Sequence, residues 1–131
     1  MKQQPEPVTL TMQKEPDEVI GLIQGKVPDS INEWYVSRAL DKLQVEYIYQ
    51  YSIYGGTSLR GGIVVDFVVY NPKAQPVEIQ GGYWHSERMA PEDRLSFAAE
   101  QQYFGNYPIL LKEEETDSLQ NALSICKKKI L

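Results

Sequence analysis

Residues 61–85 read GGIVVDFVVYNPKAQPVEIQGGYWH. GGIVVDFVVY is a strand apolar on both faces, the pattern of a central strand, and yet it carries Asp66 at its middle. NPKAQ is a turn and PVEIQ the next strand. An unpaired carboxylate in a buried strand is costly, so something must stabilise Asp66. Period-2 alternation puts Glu78 and Gln80 on one face and Val77 and Ile79 on the other. A turn centred on Pro72 or Lys73 sets Asp66 and Glu78 opposite each other or offset by two positions, with Cβ atoms about 5–8 Å apart. Two carboxylates on one face repel unless a cation or a shared proton intervenes. Oxygen ligands of this kind suit Mg²⁺ or Mn²⁺.

Working outward, PDSINEWYVSRALDKLQ reads as a helix. Ser30 is its N-cap and Glu33, three residues on, spells a capping box. Ile31, Trp34, Tyr35, Ala39 and Leu43 are its expected buried side. VEYIYQYSIYGG alternates, with Val45, Tyr47, Tyr49, Tyr51 and Ile53 sharing one parity, and ends at Gly55-Gly56. A helix is expected from about Pro91 to Phe104, with Leu95, Ala98, Ala99 and Gln102 as its stripe and Gly105 as its stop. YPILLK is a fourth strand, and DSLQNALSICKKKI a last helix with Leu119, Ala122, Leu123, Cys126 and Ile130 inward. The expected fold is α/β, a three-layer core of helix, three antiparallel strands, helix, strand and helix around a mixed sheet. Residues 1–27, with Pro5, Pro7 and Pro16, read as an extended arm that packs at Val19 to Ile23; residues 28–131 form one domain.

The chain has 131 residues, enough for one domain with a moderate core. No run is long and apolar enough to cross a membrane, and the N-terminus lacks a signal-peptide core. A single cysteine, Cys126, excludes an internal disulfide, which points to a reducing cytoplasm, that of a bacterial host if the chain is phage-encoded. The net charge of −5 argues against broad coating of nucleic acid, which needs clustered Lys and Arg.

Glu33 on a helix, Asp66 on the next-but-one element and Glu78-Ile79-Gln80 on the strand after it resemble the PD-(D/E)-x-K nuclease superfamily, whose core has the element order read above. The GGYWH stretch resembles the FWH segment of very short patch repair endonucleases, in which a histidine follows the third strand; RGGIVVDFVV and EIQGGYWH look closest to that branch. The resemblance covers roughly residues 30–112. It implies a restriction-endonuclease-like fold and a Mg²⁺- or Mn²⁺-dependent endonuclease acting on DNA. Asp66, Glu78 and the Ile79 carbonyl would hold the metal, with Glu33 in support. Gln80 stands where the family usually has lysine, a departure that some restriction endonucleases share.

In that reading the metal supplies the Lewis acid and lowers the pKa of a bound water. Gln80 can only hydrogen-bond, so more falls to metal charge or to His85, which titrates near neutrality and would protonate the leaving oxygen or hold water. Arg60, Arg88 and Arg94 are candidates for gripping phosphates. A structural reading stands beside each of these. Asp66 could pair with an arginine, Glu33 could serve only the capping box, His85 could be structural, and the tyrosines from Tyr47 to Tyr54 could be strand packing rather than base-stacking surfaces. The acidic balance suggests action on a particular DNA structure, as a homodimer, or within a larger assembly. The rival is a nuclease-fold module without activity, with a structural or protein-binding role in an assembly such as a viral particle. A carboxylate-pair glycosidase fits the spacing alone.

Overall fold

The structure, a computed structural model, describes residues 20–58, 61–79 and 90–131. Among these residues, three α-helices pack about a four-stranded mixed sheet. The order is α1 (Ile31–Lys42), β1 (Glu46–Ile53), β2 (Ile63–Tyr70), β3 (Ala74–Ile79), α2 (Pro91–Phe104), β4 (Ile109–Leu111) and α3 (Leu119–Lys129). The strands lie side by side in chain order. β1, β2 and β3 are antiparallel neighbours, and β4, reached through α2, runs parallel to β3. This is the expected α/β architecture.

Local chemistry sets the ends. Ser30 Oγ accepts the Glu33 N–H at 3.1 Å and Ser118 Oγ the Asn121 N–H at 3.0 Å, so α1 and α3 begin on side-chain caps. α2 opens with Pro91 in its first turn and stops at Gly105, whose φ of 83° is the left-handed cap a glycine adopts without a Cβ clash. The β1–β2 loop needs glycine for a different reason. A Cβ on Gly62 would lie 1.9 Å from the Gly56 carbonyl oxygen.

α1 and α3 pack on one face of the sheet around Val36, Leu40, Phe67, Val69, Val77, Leu111, Ala122 and Cys126. The Phe67 ring touches Tyr47 at 5.6 Å and Tyr49 at 5.0 Å between centroids. A second, smaller cluster of Ile53, Val65 and Val68 gathers Tyr51, Ile63, Tyr70, Ala74 and Phe104 of α2. The two clusters divide β1 and β2 at the same rung. Tyr47 and Tyr49 belong with Phe67 and Val69, whereas Tyr51 and Ile53 belong with Val65 and Ile63. The rung between is Gln50 and Asp66, and Gln50 has a φ of 56°. The single face expected for Val45 through Ile53 is therefore corrected: a left-handed residue breaks the alternation and transfers Tyr51 to the α2 side, where it meets Tyr103 and Phe104.

Two helix faces also differ from expectation. On α2 the buried residues are Phe97 and Glu100, while Leu95 is 73% exposed and Ala98 and Gln102 face outward. The rotation follows from the aromatic residues: Phe97 and Phe104 bury more area than Leu95 and two alanines would. On α1 Val36 and Leu40 are buried and Ile31 is exposed. α3 turns Ala122, Ile125, Cys126 and Ile130 inward. Burial pushes the Cys126 thiol up to about 12, which keeps it a core residue.

Of the segment read as an arm, Ile23 is buried in the main core and is paired with Lys26 in a one-bridge turn. The Gln24 amide closes onto the edge of β1: its Nε2 donates to the Tyr47 carbonyl at 2.7 Å, and its Oε1 accepts the Tyr49 N–H at 2.7 Å. No described helix is long and apolar enough to cross a membrane.

A candidate carboxylate site at the β2–β3 rung

The β2–β3 register pairs Phe67 with Val77 and Tyr70 with Ala74, so the turn is centred on Pro72. Continuing that register sets Asp66 directly opposite Glu78. The Asp66 carboxylate accepts the Ile79 N–H at 2.8 Å, which ties it to the end of β3. This bond is part of what stabilises the acid inside the strand. The expected alternative, an arginine partner, is not seen among the described residues.

Asp66 lies where the two layers meet because of the face change at its rung. From the α1 side, Glu33 approaches it; from the α2 side come Glu78 and Glu100. Glu33 realises only half of the capping box its spacing spells. Its backbone N–H bonds Ser30, but its side chain turns inward, 7% exposed, and accepts the Tyr49 hydroxyl. The same hydroxyl accepts the Asp29 N–H at 3.1 Å, and Gln50 Nε2 bonds the Asp29 carboxylate at 2.9 Å.

The electrostatics are those of acids without cations. Burial raises the Glu33 carboxyl to about 7, against the Tyr49 bond that lowers it, and the charges of Asp66 and Asp29 push the same way as burial. Asp66 is raised by burial, with the Ile79 N–H and Glu78 opposing. Glu78 is raised well above the usual carboxylate range, by burial first and then by Glu100 and Asp66. Glu100 is raised by burial, with Glu78 opposing and Asp66 adding to it. No described Lys or Arg is among the groups acting on these four acids. Hydrogen bonds between carboxyls need a proton, and Glu78, the most strongly raised, is the group that carries it. Glu100 is fully buried, and among the described residues its hydrogen-bond partner is the Glu78 carboxyl.

Tyr49→Phe is expected to destabilise the fold by about 1–3 kcal/mol at pH 8, because a buried charged acceptor loses its donor. The loss should be smaller at pH 5, where Glu33 carries its own proton; urea melts at the two pH values check this.

The residues singled out in the sequence separate accordingly. The structure brings Glu33, Asp66, Glu78 and Ile79 together. Arg94, on the exposed side of α2, does not join them. Gln80, His85, Arg60 and Arg88 lie outside the described residues. Glu100, Tyr49 and Asp29 were missed. The signal for Glu100 was its position three residues after Phe97, on the stripe that Phe97 and Phe104 define.

The donor set consists of hard carboxylate oxygens, the kind of ligand a divalent cation takes. Among the described residues, no three His, Cys, Asp or Glu side chains already surround one point in a way that would hold a metal. Between the 20–27 segment, α1 and β1 there is a separate cavity of about 470 Å³, lined by Gln24, Trp34, Arg38, Asp41 and Tyr47; none of the four acids lines it. Compared with known proteins, the chain matches no family model, no curated protein and no solved structure.

Proposed function

We propose that the chain is a metal-dependent endonuclease hydrolysing phosphodiester bonds in DNA, with Asp66 and Glu78 at its centre. The observation that carries the reading is the pairing of these two acids across β2 and β3, with Glu33 beside them and no described cation to offset them. The element order shared with the PD-(D/E)-x-K superfamily supports it.

Asp66, Glu78 and the Ile79 carbonyl would hold Mg²⁺ or Mn²⁺, with Glu33 in support. When bound, the cation supplies Lewis-acid charge at phosphorus and acidifies water. The chain's own residues do the rest. The Ile79 N–H fixes the Asp66 carboxylate, and Tyr49 fixes that of Glu33. Gln80 and His85 follow β3 directly in the chain; in this reading Gln80 orients water by hydrogen bonding and His85 supplies the proton for the leaving oxygen. Arg60, Arg88 and Arg94 are its candidates for phosphate binding. A net charge of −5 is consistent with action on a particular DNA structure, as a homodimer or in a larger assembly, rather than with tight non-specific binding.

The test is incubation of the purified protein with plasmid, branched and single-stranded DNA in Mg²⁺ or Mn²⁺ against EDTA. Metal-dependent cleavage is expected on at least one of the three. If none is cut, the second reading takes its place, a nuclease-fold module with a structural or protein-binding role. The observation favouring that reading is that the acids, as they stand, bond one another rather than surround a common point.

A further inference from the structure

The cavity between the 20–27 segment, α1 and β1 takes no part in the reading above, and its polar side chains are of two kinds. Some are committed to the fold. The Gln24 amide is held at both ends by the backbone of β1, and the Ser37 hydroxyl donates to the Trp34 carbonyl at 2.7 Å. Others are not. Trp34 is only 8% exposed, and its indole N–H meets no acceptor among the described residues. A buried indole normally finds a partner for that hydrogen, and leaving it without one is costly. The Arg38 guanidinium lies over the same indole, 5.7 Å from the ring centroid, and no described carboxylate forms an ion pair with it. Asp41 continues the stripe that Trp34 and Arg38 begin, at the fourth and seventh positions along α1. Asp41 and Glu46, both exposed, line the same cavity, and Leu22 and Val45 add an apolar wall.

These groups describe a ligand. Trp34 and Arg38 call for a negatively charged acceptor, and a carboxylate is what a guanidinium binds with two parallel hydrogen bonds. Asp41 and Glu46 repel an ion carrying several negative charges, such as a phosphate monoester, and favour a positive group at the ligand's other end. A volume of about 470 Å³ suits a small organic molecule rather than a lone ion. We infer that this cavity binds a free amino acid, or a molecule with the same zwitterionic head. Its carboxylate meets Arg38 and the Trp34 N–H, its ammonium faces Asp41 and Glu46, and its side chain lies against Leu22 and Val45. The inference stands apart from the nuclease reading, since none of the four acids lines the cavity. An occupant would join α1 to the 20–27 segment, so binding should also stabilise the fold.

The experiment is a thermal-shift screen of the full-length protein against the twenty L-amino acids at millimolar concentration, followed by calorimetric titration of those that raise the melting temperature. At least one is expected to bind. Arg38→Gln should weaken that binding on the order of 10–100-fold, because a charged acceptor loses its guanidinium. Should Arg38→Gln fail to fold, Arg38→Lys takes its place; it keeps the charge but not the fork, and it too should bind more weakly. Trp34→Phe keeps a ring but removes the N–H, for a loss of several-fold. The 2-hydroxy acid matching the bound amino acid lacks the ammonium, so the wild type should bind it more weakly, and Asp41→Asn should narrow the gap between the two. No binding by any of the twenty overturns the inference, as does unchanged affinity in a folded Arg38 variant. Equal binding of the amino acid and its hydroxy acid by the wild type overturns it as well, since the carboxylate alone would then be recognised.

Discussion

If the chain is the nuclease proposed, Asp66→Asn is expected to lower metal-dependent cleavage on the order of 10²–10³-fold while leaving the fold intact. Asp66→Asn keeps an oxygen that can accept the Ile79 N–H, now at 2.8 Å, so the end of β3 stays tied down. It removes one negative charge from a group of acids that no described cation offsets. The metal-free variant should therefore melt at or above the wild-type temperature even as cleavage falls. Loss of activity together with loss of stability would mean that Asp66 is a structural acid. Wild-type cleavage by the variant would place the chemistry away from this rung. Single-turnover cleavage rates and melts in EDTA separate the three outcomes.

In the absence of metal, the protein is expected to be more stable at pH 5 than at pH 8. The sign follows from Glu33, whose carboxyl is raised from 4.5 to about 7 in the fold. Between those values the folded chain holds a proton that the unfolded chain has released, so stability falls as pH rises through this window and levels off above it. Glu33 alone accounts for roughly 3 kcal/mol, a fall in melting temperature on the order of 10 °C for a chain of this size. Asp66, Glu78 and Glu100 are raised as well and act in the same direction. Melts in EDTA across pH 5 to 8 measure the slope, and Glu33→Gln should remove part of it. A flat or rising profile would show that these acids are better solvated than their burial indicates.

Much of this arrangement was written locally in the chain. Pro91 and Gly105 bracket α2, and Ser30 opens α1, because caps and left-handed stops depend on residues next to one another. The turn between GGIVVDFVVY and PVEIQ was enough to place Asp66 and Glu78 opposite each other or two positions apart, and the register with Pro72 at its centre makes them opposite. What could not be read depends on partners far along the chain. The spacing from Ser30 to Glu33 spells a complete capping box, yet the Glu33 side chain goes to Tyr49, 16 residues on. Gln50 gives no sign of a left-handed backbone, since glutamine has no special preference for it, and so the face change in β1 was invisible. On α2 the stripe read from the sequence was Leu95, Ala98, Ala99 and Gln102. A face that buries Glu100 runs against hydropathy, because the cost of burying an acid is visible in the sequence and its hydrogen bond to Glu78 is not.

The Gln24 amide does at the edge of β1 what a neighbouring strand would do, giving a donor to Tyr47 and an acceptor to Tyr49. One side chain thus occupies a stretch of backbone that would otherwise invite a second chain to add a strand. Edge-to-edge growth of the sheet from that side requires Gln24 to leave first, and Ile23, anchored in the core beside it, holds it in place. An assembly of this protein is accordingly expected to leave the β1 edge of the sheet unused.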